Sequence, residues 1–129
     1  MNRPPDTQGS ILMRKFILAA AISAFSLPAF AIGNVSVVGQ AGVGNAQGTF
    51  QTGRFNASGT GQVGFFNRSV TNQLGRRNVS GTAQVGALHN STTTQIGIGN
   101  ASATVQGTIG NQSSTTQVGA GNVSITSQN

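Results

Sequence analysis

The 129 residues include seven Lys and Arg, a single carboxylate and no cysteine, for a net charge of +6. The carboxylate is Asp6, so nothing beyond it can act as a carboxylate acid or base, a hard-metal ligand or the orienting member of a nucleophilic triad. One histidine without cysteine cannot build a zinc site. These absences argue against an enzyme, and no catalytic residue, cofactor or metal site is expected.

In chain order, residues 1–12 read as an upstream leader. Met13-Arg14-Lys15 then begins a basic stretch, Phe16 to Phe25 is a short apolar run, and Ala29-Phe30-Ala31 supplies small residues at −1 and −3. That order is a secretory signal peptide over 13–31. A bilayer span needs about 20 apolar residues. The run is shorter and carries Ser23, so no transmembrane segment is expected in the mature chain, 32–129. Export makes the missing cysteines informative, because small secreted domains commonly support a thin core with disulfides. Val, Ile, Leu and Phe form only about a fifth of the remainder, near the range of disordered chains. Backbone pairing and self-association are the remaining sources of order.

An 11-residue repeat fills that remainder. Gln recurs without a slip at 40, 51, 62, 73, 84, 95, 106, 117 and 128, as Gln40, Gln51, Gln62, Gln73, Gln84, Gln95, Gln106, Gln117 and Gln128. Two residues later stand Gly42, Gly53, Gly64, Gly75, Gly86, Gly97 and Gly119, with Thr108 the one departure. Five residues after Gln stand Asn45, Asn56, Asn67, Asn78, Asn100, Asn111 and Asn122, with His89 the departure. Counted from Asn34, each unit reads N-x-S-x-T-x-Q-x-G-x-x, giving eight full units over 34–121 and a partial ninth. Gln47 departs from the Ser column and Val38 from the Thr column.

The repeated side chains fall at positions 1, 3, 5 and 7, the period of two that places them on one face of a strand. Glycine at position 9 suits a corner, and the following Asn tolerates turn conformations. Each unit is expected to be a strand of about six residues plus a turn. The fold class is therefore all-β, a β-solenoid of strand-turn-strand coils of about 22 residues, two units per coil, with cross-β order on assembly. Stacking at about 4.8 Å aligns identical residues into ladders, and Asn and Gln amides can hydrogen-bond along them. Composition alone would also suit a disordered low-complexity tail, but nine registers in step argue for order.

Gln51-Thr52-Gly53-Arg54-Phe55-Asn56, Gln62-Val63-Gly64-Phe65-Phe66-Asn67, Gln95-Ile96-Gly97-Ile98-Gly99-Asn100 and Gln117-Val118-Gly119-Ala120-Gly121-Asn122 resemble the Q-x-G-x-x-N core of curlin repeats. Curlins are the subunits of curli, the bacterial amyloid fibres of biofilm matrix. The resemblance covers nearly all of 34–129. It implies a two-strand β-solenoid, secretion through a dedicated outer-membrane channel, association with other curlin subunits and nucleated growth outside the cell. The stacking residues would be the Gln, Asn and Ser columns. Two departures stand out. Curlin repeats often carry Ala where this chain mostly has Ser, and a major curlin typically has an export-targeting segment where Asn34 here already opens the repeat.

Outside the ladder, Arg54 and Arg76 are one coil apart and would stack, as would Phe55 and Arg77, within cation–π reach. With Arg68, these arginines form either a basic patch for an anionic surface or polysaccharide or, the favoured reading, charged gatekeepers that slow premature assembly. Four arginines without a readout motif do not suggest specific nucleic-acid binding. His89 reads as a tolerated corner substitution. Phe65-Phe66 lies at a corner, as a lateral contact or as local packing. The partial ninth unit shows no cap, so strand addition at the ends is expected.

The leading functional expectation is a subunit of an extracellular fibre supporting biofilm matrix, adhesion and aggregation. One alternative is a minor subunit that nucleates fibres or anchors them at the cell surface. Others are an ice-binding solenoid, which needs its Ser-x-Thr pairs facing water, and an adhesin stalk using the arginines.

Overall fold

The computed structural model describes residues 33–129, so the leader, the signal peptide and Ile32 lie outside the described residues. Nine strands follow one another: β1 Val35–Val43, β2 Ala46–Arg54, β3 Ala57–Phe65, β4 Arg68–Arg76, β5 Val79–Ala87, β6 Asn90–Ile98, β7 Ala101–Ile109, β8 Gln112–Ala120 and β9 Val123–Gln128. Odd strands form one parallel sheet, β1-β3-β5-β7-β9, and even strands the other, β2-β4-β6-β8. Every pairing joins a residue to the one 22 positions on, as in Gln62↔Gln84 and Gln73↔Gln95. The chain is a β-solenoid with two 11-residue units per coil.

The strands are longer than the expected six residues. β1 to β8 each span nine. Pairing continues through the glycine column and one residue beyond, as in Gly64↔Gly86 and Phe65↔Ala87. Stacked coils turn their corners in step, so the ladder need not stop where the chain begins to bend.

Each corner contains two residues with positive φ. One is the glycine of position 9, for example Gly64 at 122° and Gly86 at 129°. From Gly42 to Gly97 a methyl group there would collide with the backbone carbonyl of the next coil, and Thr108, the one side chain in the column, also has positive φ, 73°. The other is position 11, immediately before Asn, occupied by Phe55, Phe66, Arg77 and Leu88 at 55–60° as well as by glycines. The Asn column itself has no positive φ, so its role is not to tolerate the turn but to bond across it.

Positions 1, 3, 5 and 7 point between the sheets. No apolar side chain is buried among the described residues. The buried residues are Asn, Ser, Thr and Gln with one His, and Val38, at an inward position of β1, is half-buried.

Candidate functional site: the polar ladders

Gln and Asn divide the interior hydrogen bonding between them. From Gln51 to Gln106, each Gln amide nitrogen uses both hydrogens. One goes to the Gln Oε1 of the next coil: Gln51 to Gln73 and Gln62 to Gln84 at 2.7 Å, Gln73 to Gln95 at 2.8 Å, Gln84 to Gln106 at 2.7 Å. The other crosses to a carbonyl at the start of the opposite sheet's strand, as from Gln73 to Ala57 and Gln84 to Arg68, both 3.0 Å. The column thus runs along the axis and ties the two sheets together.

Asn closes the corners. Its Oδ1 accepts the backbone N–H of the next Asn in its column, as Asn56 does from Asn78 and Asn34 from Asn56, both at 3.0 Å. Its Nδ2 donates to the carbonyl four residues earlier and to the position-9 carbonyl of the following unit, as Asn56 does to Thr52 and Gly75, both 3.1 Å. One side-chain amide thereby serves backbone groups on both sides of a turn, where strand pairing alone would leave them unmatched.

His89 is 1% exposed and reproduces part of this pattern. Its Nδ1 accepts from the Asn111 N–H at 3.2 Å, which places the ring hydrogen on Nε2, facing the Val85 carbonyl at 3.2 Å. The Ser and Thr columns behave differently. The buried hydroxyls of Ser58, Thr60, Ser69, Thr71, Ser80, Thr82, Ser91, Thr93, Ser102 and Thr104 have no hydrogen-bond partner in the protein. Being inward, these Ser-x-Thr pairs present no array to water.

The arginines lie outside. Arg54 and Arg76 pair in register on β2 and β4. Arg77 occupies the same corner, its N–H bonded to the Arg54 carbonyl at 3.1 Å, and Arg68 starts β4. The Phe55 ring lies against Gly33 and the Phe66 ring against Gly44, each one coil earlier, so these aromatics pack locally over glycines. Among the described residues no three His, Cys, Asp or Glu cluster, and no helix is long and apolar enough to cross a membrane.

No protein-family model matches the chain, and no characterised protein matches it.

Proposed function

We propose that the chain is a structural subunit that adds end to end into an extracellular cross-β fibre of the curlin kind. The observation that carries this reading is the polarity of the ladders. Each Gln donates to the Oε1 of the coil that follows it, and each Asn Oδ1 accepts from the N–H of the coil that follows it. At one end, Gln40 and Gln51 keep Oε1 and Asn34 and Asn45 keep backbone N–H facing outward along the axis. At the other, Gln117 and Gln128 keep an amide hydrogen and Asn111 and Asn122 keep Oδ1. Among the described residues these groups meet no ladder partner. Donors at one end complement acceptors at the other, so a second copy docks head to tail in the same register. A heterologous contact that repeats in this way builds a filament, and open strand edges supply the backbone half of the match. Secretion in this reading rests on the signal-peptide pattern of 13–31. Biofilm, adhesion and export partners rest on the curlin resemblance.

The test uses purified residues 32–129 under quiescent conditions. Fibres with a meridional reflection near 4.8 Å and amyloid-dye binding are expected. A chain that folds but stays monomeric for days at high concentration overturns the reading.

A further inference from the structure

The two outer faces of the solenoid differ in chemistry. On the even sheet, outward positions include polar residues such as Arg68, Asn72, Thr92, Thr94, Ser114 and Thr116. On the odd sheet every outward residue of β1, β3, β5, β7 and β9 except Ser127 is Ala, Gly, Val, Ile or Phe. Val37 is 64% exposed and Val85 58%, so nothing among the described residues covers this face. The four arginines among the described residues lie off it, three at one corner and Arg68 on the even sheet. The opposite corner extends the apolar surface through Phe66 and Leu88.

We infer that the odd sheet's outer face is a lateral interface that packs against the same face of a second copy. Four strands of nine residues and one of six, at about 3.3 Å per residue and about 4.8 Å between strands, make a face of roughly 660 Å². That exceeds the few hundred Å² of apolar patch common on a monomer. Two such faces bury about 1,300 Å², within the range of specific protein interfaces. The occupant is a second copy because the surface has the form of a dry sheet-to-sheet contact. It carries no charged side chain, and Val knobs such as Val63 and Val85 alternate with Gly and Ala that let a facing sheet approach. A polysaccharide or anionic surface would need the hydrogen-bonding and basic groups that lie elsewhere on the molecule.

This inference is tested within the fibre reading, and the two fail separately. Ala83 sits mid-strand on this face, and Thr94 at the same repeat position on the even sheet. Residues 32–129 are prepared unaltered and as A83K and T94K, with far-UV circular dichroism to check the fold. Mass per length is then measured by electron microscopy. A copy that continues both ladders sets its β1 on β8 and its β2 on β9, so odd faces alternate sides along a stack. Laterally paired stacks are expected for the unaltered chain and T94K, and single stacks of lower mass per length for A83K. Single stacks in the unaltered chain, paired stacks in A83K, or equal loss of pairing in both variants overturn the lateral interface while leaving axial growth intact. If no fibres form, axial growth fails and sedimentation decides the lateral question: a dimer that A83K alone dissociates supports it, and a monomer overturns it.

Discussion

His89 and Thr108 are separated by 19 residues, the spacing at which six Asn side chains elsewhere donate to the carbonyl of a position-9 glycine. The one break in the Asn column thus faces the one break in the glycine column. His89 has a single ring hydrogen and directs it to Val85, so no side-chain amide reaches the Thr108 carbonyl. The donor is lost at His89, while Thr108 still offers the backbone carbonyl that would accept.

Restoring that bond has a measurable consequence. H89N should raise stability by about 1 kcal/mol, and pairing it with T108G should add more than T108G does alone. A double-mutant cycle in denaturant unfolding should give a coupling of at least about 0.5 kcal/mol. Additive effects would show the two departures to be independent.

Removing a ladder amide should be far costlier than removing a ladder hydroxyl. Gln84 bonds Gln62, Gln106 and the Arg68 carbonyl. Q84A strands those groups in a buried site and should cost about 3 kcal/mol or more, at 1–3 kcal/mol per unpartnered group.

Ser80, in the same strand, has a buried hydroxyl without a protein partner. S80A removes a desolvated polar atom rather than a bond, so it should change stability by less than about 0.5 kcal/mol or raise it. The same denaturant titration checks both variants. A loss of 2 kcal/mol in S80A would mean the hydroxyl is bonded in solution.

Two neighbouring glycines in β3 should respond oppositely. Gly64 has φ 122°, and a methyl group there meets the Gly86 carbonyl, whereas Gly61 faces open space. G64A should lose about 3 kcal/mol or fail to fold, through strain and overpacking together. G61A should be neutral or gain up to about 1 kcal/mol. Thermal and denaturant melts of the pair separate the cases.

The Arg54–Arg76 pairing sets like charges one strand spacing apart. Under the fibre reading, R76Q should shorten the lag before growth and weaken the dependence of that lag on salt, since screening would have less repulsion to remove. Lag times across a salt series provide the check.

Much of this architecture was legible because the inward positions are chemically uniform. Gln62, Gln84 and Gln106 announce their stacking by identity alone, and the period of two assigns them to one face. Strand length was not legible. Side-chain alternation loses its meaning where the backbone turns, yet pairing continues through Gly64 and Phe65. The positive φ before each Asn was hidden because Phe66, Arg77 and Leu88 occupy it beside glycines, held there by the coil rather than by their own preference. The difference between the outer faces also escaped a reading by unit. It emerges when Ala83 is compared with Thr94, that is, when alternate units are separated.

An interior with no buried apolar side chain also alters how stability should vary with temperature. Heat-capacity change on unfolding rises with apolar surface exposed and falls with polar surface exposed, averaging about 12–15 cal/mol/K per residue in ordinary globular proteins. Here unfolding mainly hydrates Asn, Ser, Thr and Gln. Calorimetry should therefore find a heat-capacity increment well below that average and a nearly flat stability curve. Such a coil would hold together about as well in the cold as in warmth.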